Sequence, residues 1–397
     1  MNSEKRAAHL LAVHDTYTLR SLTAERCRHE PVQQELARAV AQAPDLMRLE
    51  DAGTSLEGRP IRLVRFGTGE RRVLVWSQMH GDEPTGTLAL LDVLRFLGGR
   101  RGTDAWVDAM LDQLSVVVLP MLNPDGAEHH RRETAAQIDL NRDALVLATP
   151  EARILKTLHQ QFEPEHAIHL HDQELCSVGQ TPAPVALALL APAMDEKNSL
   201  TSTRLRAMSL AALLVTSLGA PTEDRMTTYD DSFEPRAFGD NMQAWGTSTL
   251  LIESGHWPGD PDRAVVRRLT FAALLTALCA IGDGSYQDVD LERYHALRPN
   301  GKRMFDIVVR GVQLEHPTGW TARVDVGLVE EPAWHAAERG SAERSFIVRQ
   351  VGDLSTHSGL EVISAQGMAL EASAVAIERV LSRRELLEAL AAGTRPA

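Results

Sequence analysis

Cysteine is scarce in this chain: Cys27, Cys176 and Cys279 are the only three in 397 residues, and they are widely spaced. An odd, scattered set offers neither a disulfide framework nor a clustered thiolate metal site, and it fits a reducing compartment. Aromatic residues make up only 5%, so a core has to rely on Leu, Val, Ile and Ala. Positive charge is also short: 41 Lys and Arg stand against 54 Asp and Glu, for a net charge of −13. No basic block offsets that balance, which argues against nucleic acid and anionic membrane surfaces as partners. The amino terminus, Met1-Asn2-Ser3-Glu4-Lys5-Arg6, leads into mixed polar sequence and not a sustained apolar run. Neither a signal peptide nor a membrane span is expected, and cytoplasmic residence follows as the expectation.

What is present is ordinary for a globular chain, with 44% hydrophobic and 24% charged residues, and its length suggests two or three domains. Residues 1–50 read as helices, with amphipathic spacing over 30–41. Strand patterns at 61–66, 72–79, 115–122, 166–171, 186–191 and 247–253 alternate with helical patterns at 84–98, 151–161, 199–217 and 262–281. That alternation predicts an α/β fold: a mixed, mostly parallel sheet with helices on both faces. Composition shifts near Asp283-Gly284 and Pro299-Asn300-Gly301 place a linker between a domain at 1–285 and a small β-rich unit at 300–397. In that unit, 306–312, 322–328, 346–349 and 360–363 alternate as half-buried strands, and a final helix is predicted from Ala374 to Ala392. Its expected role is accessory or oligomeric, so a homo-oligomer stays open.

The chemistry concentrates in short polar motifs at the ends of apolar runs. His80-Gly81-Asp82-Glu83 follows Val73-Leu74-Val75-Trp76 and precedes Pro84, which suits the first turn of a helix. An imidazole and a carboxylate delivered to one sheet edge make half of a shell for a borderline cation such as zinc. A second block runs Asn123-Pro124-Asp125-Gly126, Arg131-Arg132, then Asp139-Leu140-Asn141-Arg142-Asp143. In order and spacing, His-x-x-Glu followed by Asn-Pro-Asp-Gly, Arg and Asp-Leu-Asn-Arg resembles the zinc carboxypeptidase family, over roughly residues 55–282.

That resemblance implies a carboxypeptidase A-like fold and one zinc ion per chain, held by His80, Glu83 and a histidine at the end of a later strand. The strand His166–Asp172 offers His169 and His171, which share a face; His171, nearer the strand end, falls where the family's ligand lies, and His169 departs from the usual Asp. The interval from Glu83 to His171 is short for the larger secreted digestive members. The implied base is Glu253, at the end of Thr249-Leu250-Leu251-Ile252, an unligated carboxylate that takes a proton from the attacking water and passes it to the leaving amine. Arg132 falls where an oxyanion-stabilising Arg is expected, with Arg131 its competitor by one residue. Asn141 and Arg142 correspond to the pair that grips a substrate's terminal carboxylate, Asp139 to a group that fixes the tautomer of His80, and Tyr229 to a mobile Tyr that closes over substrate.

The function implied is hydrolysis of an amide or peptide bond next to a free carboxylate, most simply by a metallocarboxypeptidase acting on a small peptide. An aspartoacylase-like deacylase of N-acyl amino acids shares the same motifs and is the alternative. A non-catalytic metal-containing binding protein would lack a ligand or the base, and neither is missing from the sequence.

Overall fold

The computed structural model describes residues 1–331, 344–365 and 368–392 and divides into two compact units. The first comprises Met1–Glu174, Ala186–His256 and Asp262–Asn300; the second comprises Leu175–Val185, Trp257–Pro261 and the chain from Gly301 onward. The first unit thus extends to Asn300, beyond 285, because the short helix Glu292–His295 and a strand at Arg298–Gly301 follow the last long helix.

A mostly polar edge segment gives β1 (Met47–Thr54), and apolar runs give β2 (Pro60–Phe66), β3 (Arg71–Trp76), β4 (Leu114–Leu119) and β5 (His166–Asp172). After a two-residue strand β6 (Ser177–Val178) come β7 (Leu187–Leu190), β8 (Met226–Thr228), β9 (Ser248–Ser254) and β10 (Arg298–Gly301). In the first unit the spatial order is β1-β2-β4-β3-β5-β9-β7-β8-β10. The central strands β4, β3, β5 and β9 run parallel, β1 and β2 pair antiparallel with their neighbours, and β7 pairs antiparallel with β9 but parallel with β8. The mixed, mostly parallel α/β sheet is the predicted one. Parallel strands buried on both faces read as near-continuous hydrophobic runs, which is why these strands were visible in the sequence.

Helices cover both faces. Leu74, Trp76, Val117, Leu119 and Ala167 bury against Ala152, Leu155 and Leu158 of α6 (Pro150–Phe162) and against Phe238 and Met242 of α8 (Phe238–Ala244). The intervening strand residues meet α3 (Thr85–Arg100) and α9 (Ala264–Asp283), which pack together and carry α1 (Ser3–Tyr17). Among the described residues α9 alone is long and apolar enough to cross a membrane, and 83% of its apolar window is buried in the protein. A charged brace crosses this layer. Asp92, fully buried on α3, accepts from Arg267 Nε at 2.7 Å and Nη2 at 2.6 Å, from the Leu19 backbone at 2.9 Å, and faces His14 Nε2 at 3.0 Å. A buried carboxylate without such partners would be costly.

Several elements differ from the sequence expectation. Residues 47–50, read as the end of the helical segment 1–50, begin edge strand β1, and helix Ala105–Gln113 was not foreseen. In the second unit the strands Met304–Glu315, Thr321–Glu330, Ser345–Gly352 and Ser358–Ser364 lie in one sheet with Val380–Ser382 at its edge. The final helix spans Arg383–Ala392 and does not start at Ala374. Val380–Ser382 pairs with Ser345–Ile347 instead, and the helix begins at a reciprocal cap: Glu385 N–H donates to Ser382 Oγ at 3.2 Å, and Ser382 N–H to Glu385 Oε2 at 2.7 Å.

Candidate metal centre and active site

The carboxyl edge of the parallel strands is where an α/β sheet opens a crevice. After β3 the chain turns at Gln78, in the left-handed region at φ 49°. Its side chain closes the turn by donating to the Gly81 carbonyl at 2.9 Å and accepting from Thr87 Oγ1 at 2.8 Å. Gly81 is required by close approach: a Cβ there would lie 2.0 Å from the Gly126 carbonyl carbon and 2.2 Å from the Ala127 nitrogen. The Asn-Pro-Asp-Gly motif is the other half of that contact. Asn123 caps the short helix Pro124–His129 by accepting from Gly126 N–H at 2.9 Å, and its amide donates to the carbonyls of Met79 at 3.2 Å and Arg132 at 3.3 Å. Asp125, buried, accepts from Ser55 Oγ and Arg59 Nη1, both at 2.7 Å. One motif therefore fixes the His80 turn to the backbone of Arg132.

His80, Glu83 and His171 converge, with candidate ligand atoms all within 4.8 Å of one another and all three residues buried. His80 Nδ1 is 2.7 Å from Glu83 Oε1, and His171 Nδ1 is 2.6 Å from Glu83 Oε2. His80 Nε2 faces Asp139 Oδ1 at 3.1 Å. A proton on Nε2 donates to that carboxylate and leaves the Nδ1 lone pair directed at a carboxylate oxygen. Two lone pairs aimed at one carboxylate repel unless a cation or protons lie among them, so the donor set fits a zinc ion. His171 Nε2 is buried without a hydrogen-bond partner. His169 belongs elsewhere: its ring stacks on Trp76 at 4.3 Å and its Nε2 meets Met79 Sδ at 2.8 Å.

Electrostatics separates the groups. Burial opposes charge on His80, but Glu83 and the bond to Asp139 outweigh it and raise its pKa to about 9. On His171 burial prevails over Glu83 and lowers the pKa. Burial also resists ionisation of Glu83, yet the two imidazoles hold its carboxyl well below the usual range. Glu253 behaves oppositely: burial first, then the Glu83 charge, pushes it well above the usual range. It is the register partner of His171 across the parallel pair β5 and β9, so both side chains leave the sheet on one face.

Arg132 reaches into this cluster, with Nη1 3.3 Å from Glu83 Oε1 and 3.1 Å from His80 Nδ1, while Nε and Nη2 grip Asp139 Oδ2 at 3.2 and 3.1 Å. Asp139 in turn caps the 3-10 turn Leu140–Arg142 through Asn141 N–H at 2.9 Å. Asn141 Oδ1 accepts from Phe238 N–H at 2.9 Å, which leaves its amide N–H groups as donors. Arg142 is exposed and faces Glu234, with Nε 3.3 Å from Oε2. Tyr229 lies partly exposed just past β8, its N–H donating to the Leu189 carbonyl at 3.1 Å.

Some neighbours escaped the sequence reading. Asp172, directly after His171, accepts from Thr85 Oγ1 at 2.7 Å and pairs with Arg263 at 3.2 Å, and burial raises its carboxyl to about 6. Its position at the strand end was the available signal. Arg236 pairs with Glu234, and Asp231 pairs with Arg204.

Residues 32–163 match the family model described as zinc carboxypeptidase. Carboxypeptidase 2 of Trichophyton rubrum is 32% identical over 146 residues, 34% of this chain and 27% of that protein. Carboxypeptidase A2 of Mus musculus is 31% identical over 99 residues, 24% of each chain. The chain thus spans about a quarter of the length of these curated relatives. Among solved structures, thrombin activatable fibrinolysis inhibitor superposes with a TM-score of 0.56 at 13% identity, covering 71% of this chain and 81% of that one. Carboxypeptidase A from Helicoverpa armigera gives 0.51 at 17% identity, covering 70% and 79%. At such identities the likeness is one of fold.

Proposed function

We propose that this chain, whose residues 32–163 match the zinc carboxypeptidase family model, is a zinc-dependent hydrolase of an amide or peptide bond adjacent to a free carboxylate. The observation that carries the proposal is the convergence of His80, Glu83 and His171 within 4.8 Å, with Glu253 in register beside His171. These three residues would hold the ion. A bound zinc supplies Lewis acidity that polarises the attacking water and the scissile carbonyl.

The chain's own groups supply the remaining steps. Glu253 accepts a proton from the attacking water at its carboxylate and delivers it to the leaving nitrogen. Arg132, tethered by Asp139, is placed to stabilise negative charge developing on the carbonyl oxygen. Asn141, with its amide oxygen committed to Phe238, and Arg142 present donors to a substrate carboxylate. Tyr229 is the candidate to cover the substrate.

The test is metal analysis of purified protein joined to rates on three substrates: an N-acetylated dipeptide with a free carboxylate, its carboxamide, and an N-acetyl amino acid. Zinc at roughly one per chain and preference for the free-carboxylate dipeptide are expected. Faster cleavage of the N-acetyl amino acid would move the assignment to a deacylase. Zinc without turnover of any substrate would make the protein a metal-containing binding protein.

A further inference from the structure

Arg142, proposed above to receive the substrate carboxylate, already faces a carboxylate of its own chain. Its Nε lies 3.3 Å from Glu234 Oε2, and its Nη1 donates to the Asn141 carbonyl at 2.9 Å. Glu234 is gripped from its other side by Arg236: Oε1 accepts from the Arg236 backbone N–H at 3.1 Å and from Nε at 2.8 Å, and Oε2 accepts from Nη2 at 2.6 Å. The segment is anchored independently of that carboxylate. Glu234 N–H donates to Asp240 Oδ1 at 3.0 Å, Phe238 N–H donates to Asn141 Oδ1, and Ala144 N–H donates to the Arg236 carbonyl at 3.1 Å.

We propose that Glu234 is an internal competitor for Arg142, a carboxylate that the incoming substrate carboxylate must replace and that thereby sets substrate affinity. The inference rests on the assignment of Arg142 given above. Three observations support it. The contact joins the same two functional groups that productive binding would join. Arg142 and Glu234 are 38% and 27% exposed, so the pair is of the weak, exchangeable surface kind. Arg236 keeps both Glu234 oxygens hydrogen-bonded after Arg142 leaves, so the exchange strands no charge. Hydrogen bonds from Arg236 first, with Arg142 contributing, hold the Glu234 carboxyl down at about 2, and the competitor therefore remains anionic at any pH where a peptidase would work.

The experiment is steady-state kinetics of the zinc-loaded full chain on an N-acetylated dipeptide with a free carboxylate. Glu234→Gln is expected to lower KM by about 2–5-fold with little change in kcat. Arg236→Ala, which frees Glu234 to engage Arg142 alone, is expected to raise KM. In an Arg142→Ala background, Glu234→Gln should leave KM unmoved. A loosened loop would shift the two single variants in the same direction, so the opposite signs separate competition from structural support. If Arg142→Ala itself leaves KM unchanged, the assignment of Arg142 fails. If Arg142→Ala raises KM but Glu234→Gln does not lower it, the internal competition is overturned while the carboxylate grip stands.

Discussion

Glu83 and Glu253 lie at the same sheet edge with opposite protonation tendencies, and that opposition separates a ligand from a base. Two imidazoles keep Glu83 anionic despite burial, whereas burial and the Glu83 charge favour the protonated form of Glu253. Glu253→Gln removes the proton acceptor and keeps the shape, so the variant should retain zinc by elemental analysis while its turnover falls by about 10²–10⁴-fold. A near-normal rate would exclude Glu253 as the base. Asp139→Asn should act on the metal instead, since it weakens the acceptor that orients His80; chelator competition should show an affinity lower by about 10–100-fold. The cluster of His80, Glu83, His171, Asp139 and Arg132 was legible because each residue ends an apolar strand or belongs to a dense polar block. Glu234 was not legible: it meets Arg142 across ninety-odd residues of chain (234 − 142 = 92), and no local pattern marks a surface ion pair of that span.

At the level of elements, the brace centred on Asp92 decides how α1, α3 and α9 hold together. Asp92→Asn leaves the Arg267 guanidinium buried with a neutral partner, and a cost of about 3–5 kcal/mol is expected in urea unfolding. A loss under 1 kcal/mol, of the size seen for exposed pairs, would mean that water reaches the site. The final helix offers a smaller test. Ser382→Ala removes one side of a reciprocal cap and should cost about 0.5–2 kcal/mol in the second unit's unfolding. That cap also shows where sequence reading stopped short. Ser382-Arg383-Arg384-Glu385 is a helix-start signature, and giving it weight would have begun the helix after Val380–Ser382, and not at Ala374. Strand β1 failed for another reason. Met47 is its one buried residue, and cross-strand ion pairs, Arg62 with Asp51 at 2.9 Å and Arg65 with Glu50 at 2.8 Å, hold an otherwise polar edge that lacks an apolar alternation. The central strands were read within a few residues because burial on both faces forces long apolar runs.

Across the whole molecule, acid stability depends on groups that the fold keeps neutral. His166, at the start of β5, is 4% exposed, its Nε2 is 3.2 Å from Tyr286 Oη, and its Nδ1 is buried without a partner. Burial first, with Arg206 and Arg71 nearby, lowers its pKa to about 4. In the unfolded chain a histidine titrates near its ordinary value of about 6.5. Between those values the unfolded state binds the extra proton, so stability is fully present above about pH 6.5 and declines as pH falls towards 4. The share owed to this one imidazole is ~1–3 kcal/mol. Carboxylates paired in the native state add their own losses in the same direction, so the prediction concerns a difference between proteins. His166→Gln is expected to be less stable than the parent at pH 7.5 by chemical denaturation, because its amide cannot reproduce the fit against Tyr286, but to lose less on going to pH 4.5. Parallel stability curves for the two proteins from pH 7.5 to 4.5 would show that His166 titrates alike folded and unfolded, and the burial argument for this residue would then fall.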